Sequence, residues 1–254
     1  MDDLKEYKRF AQNLADISAK IIKGYFRTNI SIDTKADQSP VTIADKKAEE
    51  LMRNAIMNNF PDHGIIGEEF GSHNENSEYQ WILDPIDGTK SFICGALTFG
   101  TLIALKKNGK PILGVINQPI LNEYLIGDNE TTSLNGVPGK VNGKSKLSDS
   151  VLLTTDHLDI QKYQNIDKFN SLLHKIKLYR NWGDCYGYYL VATGFADIMI
   201  DPIMSVWDSM ALIPVIRGAG GTITDYHGND PVSGKSIIAA GSAEVHKEVI
   251  KILN

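Results

Sequence analysis

The chain of 254 residues is long enough to bury a sizeable hydrophobic core, in one large domain or two smaller ones. Hydrophobic residues make up 42% and charged residues 22% of the sequence, which is ordinary for a soluble globular protein. The net charge of −5 argues against nonspecific binding of nucleic acid, which needs a basic surface, and two cysteines are too few for a disulfide scaffold.

No apolar run approaches the roughly 18 residues that a membrane span needs. The charged N-terminus lacks the apolar segment of a signal peptide. We therefore expect no membrane association and a cytoplasmic location. Cys94 and Cys185 are interpreted as buried free thiols.

Two amphipathic helices are predicted in the first 60 residues. In residues 3–26, apolar side chains recur with a period close to that of an α-helix. Residues 28–40 are polar and rich in turn-forming residues, which indicates an exposed loop. A second helix over residues 43–59 is preceded by Thr42, a good N-cap, and Asp45 stands three residues later as in a capping box.

Strand patterns dominate residues 65–127. The apolar run at residues 81–83 predicts a buried strand, which we expect to end at Asp84-Pro85 because proline cannot donate a hydrogen bond to a sheet. The Asn-Gly pair at 108–109 is typical of a β-hairpin turn. Further strands are predicted at residues 65–66, 99–105, 112–117 and 123–126, the last three as an antiparallel meander, with surface loops at residues 128–149.

From residue 151 onward, strand and helix patterns alternate, which indicates a layered α/β arrangement. Strands are predicted at residues 151–155, 177–180, 196–200, 222–226 and 236–240, and helices at 163–174, 184–193, 208–217 and 242–253. We expect one unit over residues 1–254, with an N-terminal α+β lobe (1–150) and a C-terminal α/β lobe (151–254).

Four carboxylates stand at the ends of predicted strands or the starts of predicted helices: Glu68, Asp84, Asp87 and Asp208. Each could serve an ordinary structural purpose, as a charged strand end, a turn residue or a helix cap. Brought together on one face, they would form an oxygen-only ligand set, which favours Mg²⁺ or Mn²⁺ over zinc. Two such cations could clamp the attacking and leaving oxygens of a phosphoryl transfer.

Residues 88–91, Gly-Thr-Lys-Ser, could open a helix whose free N–H groups face an anion. A cation site and an anion site would then be adjacent, which suggests metal-assisted chemistry on a phosphate. Thr89, held by Asp45, could orient the attacking water and pass on its proton. The alternative role for Asp45 is helix capping alone.

The motifs just described resemble the inositol monophosphatase family. The resemblance rests on Val-Thr-Ile-Ala-Asp at 41–45, Gly-Glu-Glu at 67–69, Trp-Ile-Leu-Asp-Pro-Ile-Asp-Gly-Thr at 81–89 and Trp-Asp at 207–208. It implies an α-β-α-β-α sandwich of mixed α/β class, usually a homodimer. It also implies Mg²⁺-dependent hydrolysis of a small phosphomonoester.

The resemblance further implies a role for individual residues. The metal ligands would be Glu68, Asp84, the carbonyl group of Ile86, Asp87 and Asp208, with Glu68 also counted as catalytic. Thr89 and Asp45 would position the nucleophilic water, and the backbone N–H groups of Gly88, Thr89 and Lys90 would hold the phosphate.

Asn-Trp-Gly-Asp-Cys-Tyr at 181–186 resembles the histidinol-phosphate phosphatases of this superfamily, as do residues 99–103 and 117–119. Inositol phosphatases usually carry Gly-Thr/Ser-Ala at 183–185 and Glu at 201. Histidinol bears an ammonium group and an imidazole, with which Asp184 and Asp201 could pair. Gly183, Cys185 and Arg180 are the other candidate substrate contacts.

Several of these residues also fit a second role. Asp184 could cap the helix at 184–193, and Asp201-Pro202 could be a turn. Trp182 fits either the substrate pocket or the core, and Lys35 could reach the phosphate from its loop. The alternative activities are an inositol-1-phosphate phosphatase or a broad sugar-phosphate phosphatase. A catalytically silent relative that only binds ligand is more distant, since it would have lost a metal ligand.

Overall fold

Helices and two large β-sheets alternate in the order α-β-α-β-α across residues 2–34 and 40–254, the part of the chain that the computed structural model describes. This is the layered sandwich that the resemblance stated above implies. Lys35 lies outside the described residues.

The described helices agree largely with the predicted ones. They are α1 (Asp2–Tyr25), α2 (Ile43–Asn59), α3 (Thr89–Ile93), α4 (His157–Tyr163), α5 (Ile166–Leu173), α6 (Asp184–Ala192), α7 (Val206–Ser209), α8 (Leu212–Gly218) and α9 (Ala243–Leu253), with a 3₁₀ turn at Leu147–Asp149. None of these helices combines the length and the apolar character that crossing a membrane requires.

The strands fall into a short hairpin and two larger sheets. They are β1 (Ile32–Thr34), β2 (Pro40–Thr42), β3 (Gly64–Gly67), β4 (Gly71–His73), β5 (Tyr79–Asp87), β6 (Gly100–Lys107), β7 (Lys110–Gln118), β8 (Glu123–Gly127), β9 (Thr132–Leu134), β10 (Val137–Pro138), β11 (Val151–Leu153), β12 (Leu178–Arg180), β13 (Ile198–Asp201), β14 (Thr222–Thr224) and β15 (Ile237–Ala240).

The first sheet has the order β10-β9-β8-β7-β6-β5-β3-β4, in which β6 to β8 form the predicted antiparallel meander. Strand β5 pairs antiparallel with β6 and parallel with β3. The hairpin turn between β6 and β7 uses Asn108 and Gly109, both with positive φ, as an Asn-Gly turn requires. The second sheet has the order β12-β11-β13-β15-β14, with β12, β11 and β13 parallel and β15 antiparallel to both its neighbours.

The described residues form four hydrophobic clusters, and the three largest hold the layers together. Helices α1 and α2 cover the outer face of the first sheet around the fully buried Trp81. Helices α6 and α8 fill the space between the two sheets. Helices α4, α5 and α9 cover the outer face of the second sheet around Phe169.

Strand β5 corrects one prediction. It runs through Pro85 to Asp87 instead of ending at Asp84-Pro85. The pairing with β6 shifts register between Asp84 and Asp87, so the missing N–H group of proline falls where the ladder is irregular. There the Thr101 hydroxyl donates a 2.8 Å hydrogen bond to the Pro85 carbonyl.

Two predicted helices differ from those in the structure. The helix predicted at 163–174 begins only at Ile166, as α5, because the Asn165 side chain accepts from two backbone N–H groups and caps the helix there. Helix α4 precedes it and was not predicted. The helix predicted at 208–217 is divided into α7 and α8. The loop predicted at 28–40 contains β1, which pairs with β2.

The prediction that both cysteines are buried is right for Cys185 and wrong for Cys94. Cys185 is buried as expected, but Cys94 is exposed. Cys94 follows the short surface helix α3, of which only Phe92 is buried. Both thiols are free.

Gly114 lets the inner helix α8 approach the first sheet. A Cβ atom at this position of β7 would lie 2.0 Å from the Ala211 carbonyl oxygen. We expect Gly114→Ala to lower the free energy of unfolding by about 1–3 kcal/mol, because the backbone of the inner layer must move. Urea denaturation followed by circular dichroism measures the change.

Gly24→Ala is the matched control, since a Cβ atom there meets nothing within 4 Å and the position is helical. It should leave stability unchanged or raise it by up to about 1 kcal/mol. Equal losses in the two variants would contradict the close packing assigned to Gly114.

Candidate metal centre

Three aspartates form a cluster where β5 meets α7. Asp84, Asp87 and Asp208 each place one carboxylate oxygen so that all three atoms lie within 4.8 Å of one another. In a regular strand, residues three apart face opposite sides of the sheet. The register shift between Asp84 and Asp87 is the local irregularity that allows both carboxylates to reach the same cluster.

Asp208 is held in place by its own helix. It is the third residue of α7, not its N-cap, which is Ser205. One Asp208 oxygen, Oδ2, accepts a 2.7 Å hydrogen bond from the Ser205 backbone N–H. The capping interaction and membership in the cluster therefore coexist in one side chain.

The charges of the cluster are poorly satisfied by the described protein groups alone. Asp84 is buried, and its Oδ1 atom has no hydrogen-bond partner among the described residues. Burial, followed by the negative charges of Glu68, Asp87 and Asp208, raises the pKa of Asp84 well above its usual value. Burial and the charges of Asp184 and Asp208 do the same to the pKa of Asp87.

A divalent cation fits this arrangement. Buried carboxylates are costly unless an opposite charge accompanies them. Oxygen donors without nitrogen or sulfur suit Mg²⁺ or Mn²⁺. The orphaned oxygen of Asp84, inside a group of three carboxylates, is the observation that supports a metal here.

Two further predicted ligands lie beside the cluster. Glu68 follows β3, and its backbone N–H donates to the Leu83 carbonyl at 3.2 Å. Its charge acts on Asp84, so its side chain is close to the cluster. The carbonyl group of Ile86 accepts a 3.1 Å hydrogen bond from the Thr89 hydroxyl.

Asp45 serves two partners at once. Its Oδ2 atom accepts from the backbone N–H and the hydroxyl of Thr42, at 2.9 and 2.6 Å, and completes the capping box of α2. Its Oδ1 atom lies 3.4 Å from the Thr89 hydroxyl. Burial raises the pKa of Asp45. The two predicted roles of Asp45 are therefore compatible.

The predicted phosphate loop starts a helix. Gly88 is the N-cap of α3 and has φ +86°, a left-handed conformation that glycine adopts without strain. A Cβ atom at Gly88 would lie 2.8 Å from a carboxylate oxygen of Asp184. The close approach of the two segments therefore depends on glycine. The Lys90 side chain is exposed.

Asp184 joins α6 to this loop. Its φ of +50° is strained for a residue with a side chain. Its Oδ2 atom accepts a 3.0 Å hydrogen bond from the Ser91 hydroxyl, and its backbone N–H donates to the Thr155 hydroxyl at 2.9 Å. Burial raises the pKa of Asp184 to about 7.

The capping role predicted for Asp184 is wrong, because Gly183 is the N-cap of α6 and no side chain caps this end. The backbone N–H of Cys185 instead donates to Asp87 Oδ2. A Cβ atom at Gly183 would lie 2.1 Å from the Thr155 Cα atom, so glycine is needed where these segments meet. Residues 183–185 thus adjoin the cluster, and their contact with substrate stays a prediction.

An acidic cavity of about 140 Å³ opens beside the cluster. Six aspartates line it: Asp87, Asp156, Asp159, Asp184, Asp201 and Asp208. No described lining residue is Lys or Arg. The cavity therefore favours a positively charged guest wherever a metal ion does not neutralise it.

Asp201 lines the cavity, and both of its carboxylate oxygens accept hydrogen bonds from other residues of the protein. Its Oδ1 atom accepts from the Thr155 backbone N–H at 3.1 Å, and its Oδ2 atom accepts from the Tyr188 hydroxyl at 2.8 Å. It ends strand β13, so the predicted turn begins only at Pro202. Burial raises the pKa of Asp201.

The other predicted pocket residues lie farther out. Arg180 is exposed, is not among the cavity-lining residues, and donates to the neighbouring Tyr179 carbonyl. Trp182 is 47% exposed, so core packing is excluded for it.

Two acids that the sequence patterns do not single out also line the cavity. Asp156 and Asp159 belong to α4, which was not predicted. Asp156 is the N-cap of this helix and accepts from the Leu158 backbone N–H at 2.8 Å. An Asp before a short helix-forming segment was the available signal.

Known proteins resemble this chain along its whole length. A sequence model of the inositol monophosphatase family matches residues 3–254. The chain is 43% identical to the bifunctional phosphatase IMPL2 of Arabidopsis thaliana, covering 99% of this chain and 76% of that protein. It is 40% identical to the histidinol-phosphatase of Chlorobaculum parvum, covering 92% of each. It superimposes on an inositol monophosphatase from Zymomonas mobilis with a TM-score of 0.87, at 37% identity and over 98% of each chain.

A metal at the cluster should couple stability to pH. In protein stripped of divalent cations, we expect the free energy of unfolding to fall as the pH rises from about 4 to about 7. The folded protein keeps protons on the buried carboxyls, up to a pKa of about 7 at Asp184, while the unfolded chain has already released them. Thermal unfolding should show that Mg²⁺ raises Tm more at about pH 7.5 than at about pH 5.

Asp84→Asn provides the control for this experiment, because the amide removes the buried charge while keeping the shape. It should raise the Tm of the stripped protein and abolish the increase on adding Mg²⁺. The same substitution at the exposed Asp62 should change neither. A wild-type response to Mg²⁺ in Asp84→Asn would exclude this cluster as the metal site.

Proposed function

The chain belongs to the inositol monophosphatase family, and we propose that it is a Mg²⁺-dependent phosphatase whose substrate is the small cationic phosphomonoester histidinol phosphate. The family and the relatives named above are phosphatases. The choice of histidinol phosphate as the substrate goes beyond the family and rests on the charge of the acidic cavity.

The acidic cavity carries the choice of substrate. Six aspartates surround a space of about 140 Å³, with no Lys or Arg among its described lining residues. Histidinol phosphate would bring an ammonium group and an imidazole to this space, and each can form charge-assisted hydrogen bonds with carboxylates. Inositol is uncharged and gives no comparable reason for acids beyond the metal ligands. The name of the Chlorobaculum parvum relative agrees with this choice.

The metal ligands in this proposal are Glu68, Asp84, the carbonyl group of Ile86, Asp87 and Asp208. Mg²⁺ held by these residues would supply positive charge to the phosphoryl oxygens and would lower the pKa of the attacking water. The backbone N–H groups of Gly88, Thr89 and Lys90 at the start of α3 bind the phosphate oxygens.

The protein orients and deprotonates the water through Thr89 and Asp45. The Thr89 hydroxyl lies within reach of both the Ile86 carbonyl and Asp45 Oδ1, so it can accept a proton from water while donating its own. Burial makes Asp45 a stronger base than an exposed aspartate, since it raises the pKa. Asp45 is itself fixed by the capping box of α2.

Inositol-1-phosphate is the second candidate substrate, because the Zymomonas mobilis structure that this chain resembles is named for that activity. A silent relative fits less well, since the chain keeps the carboxylate cluster. The homodimer, the cytoplasmic location and the division into lobes at residue 150 stay predictions.

A substrate panel tests the proposal. With Mg²⁺ present, we expect kcat/KM for histidinol phosphate to exceed that for inositol-1-phosphate and for a sugar phosphate by about tenfold or more, since one charged hydrogen bond contributes about 1.5–3 kcal/mol. Release of inorganic phosphate measures all three rates. A preference for inositol-1-phosphate would replace the proposed substrate with the second candidate.

Asp159→Asn tests whether the cavity acids recognise the cationic leaving group. Asp159 is the better choice than Asp156, whose side chain also caps α4. We expect KM for histidinol phosphate to rise about tenfold, with little change in kcat or in the KM for inositol-1-phosphate. Steady-state kinetics on both substrates measure the difference.

Asp167→Asn on the neighbouring helix α5 is the matched control, because Asp167 is not among the cavity-lining residues. It should leave both KM values unchanged. If Asp159→Asn raised KM for the two substrates equally, the acid would not distinguish the leaving groups.

A further inference from the structure

Glu49 is a fully buried carboxylate that the function proposed above does not use. It lies on α2, on the same buried side as Met52. No motif in the sequence marks Glu49 as functional. Its surroundings connect it to the segment that carries the predicted metal ligand Glu68.

The Glu49 carboxylate accepts hydrogen bonds from that segment's backbone. Its Oε2 atom accepts from the Glu69 N–H at 2.8 Å, and its Oε1 atom accepts from the Phe70 N–H at 3.1 Å. Arg53, one turn later on α2, donates to Oε1 at 3.3 Å and to the Gly71 carbonyl at 2.8 Å. Both side chains of α2 therefore hold the same short loop.

These contacts restrict the position of Glu68. The loop of residues 68–70 connects β3 to β4, which pair at Gly67 and Gly71. The Glu68 N–H donates to the Leu83 carbonyl, so the backbone N–H groups of all three loop residues have partners. A Cβ atom at Gly67 would lie 1.9 Å from Glu49 Oε1, which shows how closely the carboxylate packs on the strand end.

Burying a carboxylate at this position costs desolvation free energy, which packing alone does not explain. Burial raises the pKa of Glu49, while hydrogen bonds from the two loop N–H groups and the charge of Arg53 oppose this shift. Apolar residues of similar volume often stabilise a core as well as or better than a buried ion pair does. The benefit of an acid here is directional, because it fixes two adjacent N–H groups next to Glu68.

We propose that Glu49 is a positioning residue for the metal centre: it holds the 68–70 loop through the Glu69 and Phe70 N–H groups, so that Glu68 faces Asp84. Glu49 belongs neither to the aspartate cluster nor to the residues that line the acidic cavity. The inference rests on the proposed role of Glu68 as a ligand. Outer residues that orient metal ligands typically contribute about 10–100-fold to metal affinity.

Glu49→Gln tests the proposal, because the amide keeps the shape of the side chain but replaces one of the two acceptor oxygens by an NH₂ group. Mg²⁺ and Mn²⁺ are titrated calorimetrically into the full-length protein after removal of divalent cations. We expect about 10–100-fold weaker binding than in the wild type.

Hydrogen–deuterium exchange of the metal-free protein should show faster exchange at Glu69 and Phe70. At saturating Mg²⁺, kcat should recover while the Mg²⁺ requirement rises.

Glu50→Gln is the matched control, since Glu50 is the next residue on α2 and is exposed. It should keep wild-type metal affinity and wild-type exchange. A purely structural Glu49 would lower Tm in the Glu49→Gln variant and leave metal affinity and the kcat-against-Mg²⁺ profile unchanged, which would overturn the proposal.

Gly67→Ala provides a second variant, in case Glu49→Gln does not fold. The added methyl group displaces the Glu49 carboxylate without changing its chemistry. We expect weaker metal binding and faster exchange at Glu69 and Phe70 in Gly67→Ala alone, because the change breaks the same tether. Wild-type metal affinity in a folded Gly67→Ala variant would overturn the proposal. A wild type that neither binds Mg²⁺ nor hydrolyses phosphomonoesters would overturn the proposed function and this inference together. A wild type that does both, beside an unaffected Glu49→Gln, would overturn this inference alone.

Discussion

The mutual repulsion of carboxylates gathered at the end of β5 is the constraint on which the site depends. Asp84 and Asp87 have strongly raised pKa values because they are removed from water and face other acids. Such an arrangement is unfavourable for folding by itself. It becomes favourable when a cation joins it, so the cluster makes more sense as a binding site than as part of the core.

Three departures from regular backbone geometry meet around this cluster. The register shift in β5 allows Asp84 and Asp87 to share one side of the sheet. Gly88 takes a left-handed conformation so that α3 can begin immediately after the strand, and Asp184 takes a strained one. Strain at Asp184 costs on the order of 1–3 kcal/mol. Hydrogen bonds with Ser91 and Thr155 help to offset this cost and hold α6 against the loop.

The sequence predicts the elements whose signals are local and misses those that depend on partners in the fold. The helix from Ile43 to Asn59 has a periodic apolar face and an N-cap, and both of its predicted ends are right. The predicted end of β5 at Asp84-Pro85 was wrong. Proline ends a strand only where the neighbouring strand would accept a hydrogen bond from the missing N–H group. That requirement is set by the register with β6, which no local pattern encodes.

The residues of the site also divide into those with a local sequence signal and those that only the fold brings together. The cluster of acids from β5 and α7 joins residues more than a hundred positions apart. Their places at the ends of predicted elements made the association possible, and the resemblance to a family made it specific. Helix α4 is too short to give a clear periodic signal, so the cavity acids Asp156 and Asp159 were missed with it. Glu49 is charged and looks like a surface residue in sequence. Its burial follows from the approach of the 68–70 loop to α2.

The charge of the cavity also determines the order in which ligands can bind. A phosphate dianion is repelled by a space lined with six aspartates and no described Lys or Arg. Under the proposed function, cation binding removes this repulsion at the phosphate end, and the remaining acids stay available for the cationic leaving group. Metal and phosphate therefore bind cooperatively, and linkage requires each to strengthen the other by the same factor. A residue such as Glu49 that sets metal affinity then sets substrate affinity as well, although it lies outside the cavity.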